Sequence, residues 1–433
     1  MIDDRDRAPG TGGAEAPKGK WSWGEKPPQL YVLCALAVLC TPVFMFAPQQ
    51  TAASLLIFGG LALLTNPVCG LGPIRRQRYL LPLAGLLAWG ALSTLWAIED
   101  TETLKRVWRL AAFSVFGILV VTYARELRDK DKALLGRVLA ASVWVIIALF
   151  LFERLTDKSL TALVTETTAY ERYAILNRPG TLLLLLAWPA AGMLFSAGRP
   201  YQALAMLMAA GLVQVGAQGQ ASILAWIAGG VAASLAAVLP RVTAVVLTLA
   251  VAGAVFAGPV LVNQPSVLQA LAVKTPDTAV SMRHRLLIWS FTGERIAERP
   301  FLGWGLDAAR VIPGAQATAL SYADRIGAGW VRPQDRDNMA ETAILPLHTH
   351  NAVLQIWLEL GIVGAAILSV FVGMIAAAAS KGPPAARATR FGLLAAAFTI
   401  ACVSYGAWQS WWVAALFITG AFAAALPDRV REK

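Results

Sequence analysis

Apolar residues run along this chain in blocks of about 20, broken by short polar stretches, and each block is long enough to cross a hydrocarbon core of about 30 Å as a helix. Twelve such blocks can be marked: 29–47, 52–68, 79–97, 107–124, 134–152, 180–197, 201–217, 220–239, 242–262, 350–379, 391–407 and 411–426. Backbone groups in lipid must bond within their own segment, and the blocks lack the two-residue alternation of a barrel. The pattern therefore predicts an all-α polytopic membrane protein.

The division that follows has five parts. Residues 1–28, polar and rich in Gly, Pro and charge, form a disordered tail, with no cleavable leader visible. Residues 29–262 hold the first nine spans, 263–349 a large polar loop with amphipathic helices, 350–426 the last three spans and 427–433 a second tail. Composition agrees, with 57% hydrophobic and 15% charged residues in a chain of 433. That is too little polar surface for a soluble globule.

Charge sets the orientation. With the N-terminus in the cytoplasm, the loops and tails on that side carry 21 of the 37 Lys and Arg residues, the opposite loops before span nine carry 7, and the 263–349 loop carries the remaining 9 beside eight acidic residues. The positive-inside rule then puts both termini in the cytoplasm and the long loops at 153–179 and 263–349 outside. The net charge of +11 is accounted for by topology, so no nucleic-acid partner is implied. The four cysteines, at 34, 40, 69 and 402, lie in or beside spans, which speaks against both a disulfide framework and a cysteine nucleophile.

Candidate chemistry gathers in the outer segments. In the 263–349 loop, Ser281 is placed to cap a helix that ends at Pro300. Leu287, Ile288, Phe291 and Ile296 form its apolar stripe, while Arg283, Glu294, Arg295, Glu298 and Arg299 stand on its polar face. Arg285 and Trp289, four apart, share a face, so the indole can orient the guanidinium; the plainer reading of Arg285 is one more interfacial cation. "PFLGWG" then makes a tight turn.

Two of the three histidines, His348 and His350, sit where this loop becomes a span. His350 continues along one helical face to Leu354, Trp357, Gly361 and Gly364, and the glycines would admit a neighbouring helix. For His348 loop structure is the simpler reading. His350 stands open between a capping role and a chemical one. A zinc site joining His284, His348 and His350 with Asp335, Asp337 or Glu341 lacks any regular ligand spacing, so no metal and no other cofactor is expected. Arg178, before Pro179 and Gly180 at the mouth of span six, is either a snorkelling anchor or an anion ligand. Glu99, Asp100 and Glu102 beside Lys105, Arg106 and Arg109 read as a solvated charge cluster.

These patterns resemble a known family. His350, Asn351, nine residues, Gly361, two residues and Gly364, together with Arg285-x-x-x-Trp289, Pro300-x-x-Gly303-x-Gly305, "NRPG" and "STLWAIEDTETL", are similar to signatures of the O-antigen ligase (WaaL) family, within the O-antigen ligase and polymerase superfamily. The resemblance implies a GT-C-like glycosyltransferase in the bacterial inner membrane. Its donor would be O-antigen on undecaprenyl pyrophosphate, its acceptor the lipid A-core oligosaccharide, and its active site would lie on the periplasmic side. An O-antigen polymerase is the alternative within the superfamily, and a lipid-linked oligosaccharide flippase the rival from another class. The scarcity of polar residues inside the spans and the lack of an internal repeat favour an enzyme. The chemistry then requires stabilising a departing lipid diphosphate, for which Arg285 and Arg178 are the first candidates and Arg283 and Arg172 the weaker ones. It also requires a base for the acceptor hydroxyl, for which His350 is the candidate, with Asn351, Trp289, Gly361 and Gly364 as motif support. Direct attack would invert the anomeric centre.

Overall fold

The computed structural model describes residues 27–65, 77–164, 175–215, 219–274 and 280–427. Arg172, Cys69 and the N-terminal tail before residue 27 fall outside them. Helices are the regular elements of the described residues, which also contain one isolated bridge between Thr318 and Ala343. A helix stands at each of the twelve apolar blocks: α1 Pro28–Phe46, α2 Thr51–Thr65, α3 Leu80–Leu92, α4 Asp100–Glu126, α5 Asp129–Leu155, α7 Asn177–Ser196, α8 Pro200–Leu212, α9 Gln220–Val238, α10 Pro240–Val262, α15 Ala352–Ala379, α16 Pro384–Val403 and α17 Ser410–Ala424. The short α6 Ser159–Val164 follows α5, and α11 Pro265–Val273, α12 Val280–Glu298, α13 Ala319–Arg325 and α14 Pro333–Glu341 lie in the segment before α15. By length and composition, 8 of the described helices can cross a membrane. Among the shorter apolar ones are α3 with the 3₁₀ turn after it, α8 and α17.

The bundle is organised around α7. Every residue from Pro179 to Leu194 is buried, because α1, α5, α8, α9, α16 and α17 all pack against this helix. A helix apolar on every side belongs at such a position, whereas α10, with only 22% of its apolar window buried, stands at the periphery. Two further sequence expectations change. Arg106, read as part of a solvated cluster, is buried, since α4 starts at Asp100 and carries it inward onto Asp307. Ser281 is not a cap but the second residue of α12.

The largest departure concerns α15. It is not a continuous helix with glycines facing a neighbour: at Gly361 the backbone leaves the helical region, with φ +62° and ψ −161°. The Pro300–Gly305 turn fills the break. Trp304 N–H donates to the Leu358 carbonyl and Gly305 N–H to the Glu359 carbonyl, both at 2.9 Å, while Ile362 N–H donates to the Pro300 carbonyl at 2.9 Å. The Trp89 indole N–H reaches the Leu360 carbonyl at 2.9 Å. The three carbonyls opened by the break and the Ile362 N–H thus find partners, as buried backbone groups must away from water. Two glycines permit the approach. A Cβ on Gly361 would lie 2.2 Å from the Phe301 carbonyl oxygen, and one on Gly303, itself at φ +71°, would lie 2.4 Å from the Glu359 carbonyl carbon. The two glycine motifs of the sequence are therefore halves of one interlock.

Gly361→Ala combines a clash with backbone with a left-handed φ, and should destabilise the detergent-solubilised protein by at least about 2 kcal/mol. Gly253→Ala in α10 meets nothing within 4 Å and should be neutral or stabilising by up to about 1 kcal/mol. Thermal unfolding of both variants checks this; equal melting temperatures would contradict the interlock.

Candidate active site

The turn that carries His350 is held from three directions. Asn351 is the N-cap of α15, its side-chain oxygen accepting from the N–H groups of Val353 at 3.0 Å and Leu354 at 3.1 Å. That satisfies donors that any helix start leaves orphaned. His350 precedes the cap with φ +52°, a left-handed conformation uncommon outside glycine. Such strain persists where surroundings enforce it. Here the Trp289 indole donates to the Thr349 carbonyl at 3.0 Å, and the His350 N–H donates to His348 Nδ1 at 3.1 Å.

These bonds fix the proton positions. His350 Nδ1 lies 2.8 Å from the Ser404 carbonyl oxygen, which can only accept, so the proton sits on Nδ1 and Nε2 keeps its lone pair. His348 is the opposite tautomer. Its Nδ1 accepts from the His350 amide, so Nε2 bears the proton, and the Gln409 side-chain amide lies 2.8 Å from that nitrogen. The amide orientation that satisfies both groups presents Gln409 Oε1, an atom otherwise buried without a partner. The ring centroids lie 4.2 Å apart, with the planes tilted by 57°. His348 is a strut for His350, and the two do not form a ligand pair.

Electrostatics keep both rings neutral. Burial pushes His350 down to about 3, helped by the neighbouring His348 and Arg285 and opposed by the bond to Ser404. Burial likewise pushes His348 down to about 4, with Arg310, Arg285 and Arg178 all adding to the effect. Three arginines therefore act on one histidine pair. Arg285 donates to the Val403 carbonyl at 2.8 Å, and its buried Nε has no hydrogen-bond partner among the described residues. Burial lowers its pKa. The exposed Arg178 lies against the Trp411 ring at 5.8 Å, and Tyr405 feels the charge of both Arg178 and Arg285. An orphaned donor on a desolvated guanidinium beside a second cation is a place for an anion.

Not all the sequence candidates come together. Arg283 is fully buried and engages Asp335 through both Nε and Nη2, the latter at 3.1 Å. It points into the fold of the 263–351 segment and leaves the anion-binding set, and Asp335 is equally removed from any metal set. Arg285 and Trp289 share a face of α12, but among the described residues no cation–π contact joins them. The indole is committed to Thr349 and the guanidinium to Val403. Among the described residues, no three His, Cys, Asp or Glu side chains group as metal ligands.

The structure adds residues that pattern reading missed. Glu359 is fully buried. Its carboxylate accepts from the Trp408 indole at 2.6 Å, the Asp307 N–H at 2.7 Å and the Gln355 amide at 2.8 Å. Gln355 in turn accepts from the Ala407 N–H at 2.8 Å. The 404–409 loop is thus anchored at both ends on the histidines, through Ser404 and Gln409, and in its middle on Gln355 and Glu359. A usable signal existed: Gln355 and Glu359 stand four apart in a largely apolar helix whose one ionisable residue is Glu359, and ionisable groups there mark function by default.

The fold and site so far define a polytopic helical membrane protein that gathers a neutral imidazole and cation-rich anchorage at one end of its bundle. Residues 203–369, which span Arg285, the Pro300–Gly305 turn and His350, match the family model described as O-antigen ligase. The chain is 27% identical over 329 residues to a Rickettsia prowazekii protein provisionally named a polysaccharide ligase, covering 75% of each chain. Rickettsia conorii and Rickettsia typhi proteins of the same provisional name are 27% and 26% identical over 330 residues, covering 75% and 76% of this chain and 74% and 75% of theirs. The likeness to the O-antigen ligase family thus covers the part of the chain that carries the site.

The neutral histidines have a consequence for stability. His350 takes up a proton in the unfolded chain near pH 6.5 but in the folded one only near about pH 3. Its contribution is complete above about pH 6.5 and is lost as pH falls towards about 3. The wild type should therefore lose stability more steeply than His350→Gln over that window. Parallel melting-temperature profiles would contradict the assignment.

Proposed function

We propose that this protein is an O-antigen ligase acting at the periplasmic face of the bacterial inner membrane. In this reading it transfers glycan from undecaprenyl pyrophosphate to the lipid A-core oligosaccharide. The observation that carries the proposal is the pairing of a base-competent His350 Nε2 with Arg285, whose buried Nε is unpartnered among the described residues. The topology behind it is twelve spans with both termini in the cytoplasm, supported by the charge of the short loops. That topology puts the N-terminal ends of α4, α7, α15 and α17, and with them the site, outside.

The step balances with protein groups alone. The acceptor hydroxyl oxygen forms a bond to the anomeric carbon from the face opposite the diphosphate. The bond from that carbon to the diphosphate oxygen breaks, and the lipid diphosphate leaves with the electron pair. The hydroxyl proton passes to His350 Nε2, and the configuration inverts. Arg285 and Arg178 stabilise the charge that develops on the leaving group, with Arg283 left out on the geometry above. A base at about 3 is weak in the empty site. Its protonated form is disfavoured there by burial and nearby cations, and a bound diphosphate offsets the cations. Donor binding thus raises the basicity of His350 where transfer needs it.

Reconstitution with lipid-linked O-antigen and lipid A-core tests the proposal. His350→Ala should retain donor binding but lose transfer by at least about 10²-fold. Arg285→Ala should weaken both donor binding and turnover, and wild-type transfer should survive EDTA. Full ligation by His350→Ala would end the base assignment. Formation of only longer lipid-linked polymer would replace ligase by polymerase, and donor translocation without product would replace both by a flippase.

A further inference from the structure

We infer that the cleft between the first turns of α4 and the 306–311 turn is the subsite that holds the acceptor sugar. The inference rests on the glycosyl-transfer reading above and adds where the second substrate sits. The cleft encloses about 260 Å³, on the scale of one sugar residue rather than a polysaccharide. Its lining includes Glu99, Thr103, Arg106, Arg109, Asp307 and Arg310.

Its chemistry differs from that of the histidine site. Around His350 the charged groups are cations. In the cleft, Glu99, Glu102 and Asp307 stand against Arg106, Arg109 and Arg310. A balanced lining of acceptors and donors does not select a diphosphate. It suits a ring of hydroxyls, each of which donates to a carboxylate and accepts from a guanidinium. The side chains of Glu99 and Arg109 make no hydrogen bond or ion pair among the described residues, which leaves them available to a ligand.

The cleft is also built to stay in place. Asp307 is held in a left-handed conformation at φ +67°, its N–H bound by Glu359. Its carboxylate grips the Arg106 fork at 2.8 and 3.1 Å and Arg310 at 3.3 Å. Arg106 further donates to the Trp408 carbonyl at 3.2 Å. That bond ties the cleft to the 404–409 loop, whose Ser404 and Gln409 contact the two histidines. Arg310 belongs to both places, lining the cleft while its charge bears on His348. A sugar seated here is tied to the histidine site through Arg310 and the Arg106–Trp408 bond.

The test uses the full-length protein. With lipid-linked donor saturating, Arg109→Ala and Glu99→Gln should each raise the KM for lipid A-core about 10-fold, equivalent to ~1.4 kcal/mol. Turnover at saturating acceptor and donor affinity should stay near wild type. In the His350→Ala background, where transfer is blocked, delipidated core oligosaccharide should bind by calorimetry, and Arg109→Ala should weaken that binding by a similar factor. Wild-type transfer with unchanged acceptor KM in both variants would overturn the subsite while leaving the proposed function standing. Loss of donor affinity instead would reassign the cleft to the donor glycan. Absence of any transfer by the wild type would overturn the function and the subsite together.

Discussion

A broken helix is tolerable in a membrane protein only if its freed backbone groups are satisfied by protein, and here that single requirement shapes the functional end of the molecule. The break at Gly361 opens the Leu358, Glu359 and Leu360 carbonyls, and the Pro300–Gly305 turn and Trp89 close them. Because the turn enters the helix, the residues after it, Leu306 to Arg310, are set against α4. Because Glu359 sits two positions before the break, its carboxylate faces both that turn and the 404–409 loop. The histidine turn, the loop and the charged cleft are therefore registered to one another through α15.

The fold was largely legible in the sequence. Block length alone places a helix at every apolar stretch, and the all-round apolar "GTLLLLLAWPAAGM" foreshadows the buried axis that α7 becomes. The glycines were legible as a pattern but not as a mechanism. A small residue in a span reads as a contact with another helix, and spacing does not reveal that a distant turn will supply the partner. Arg106 shows the same gap: six charges within eleven residues look solvated until a carboxylate 201 residues away is seen to claim one of them.

At the site, residue types proved easier to read than partners. The sequence could nominate His350 over His348, since only the former stands directly before the residue that caps the helix. The tautomer depends on the Ser404 carbonyl, 54 residues downstream and silent in any side-chain pattern. Arg283 and Arg285 are two positions apart on α12 and look equivalent as charges. The helical turn sends one into an ion pair with Asp335 and the other towards the histidines. Short-range pattern identifies what a residue is able to do, and long-range packing decides which of two equals does it.

The interlock also imposes an order on assembly. The Pro300–Gly305 turn leaves the ribosome well before Gly361, so for an interval its N–H groups have no carbonyls to meet, and α15 cannot settle in the bilayer with its own carbonyls open. The two halves must mature together, which makes the pairing of an apolar helix with a turn from the preceding segment a late and cooperative step of folding. A chain that ended before residue 361 would contain every residue of the histidine turn and still be unable to hold it.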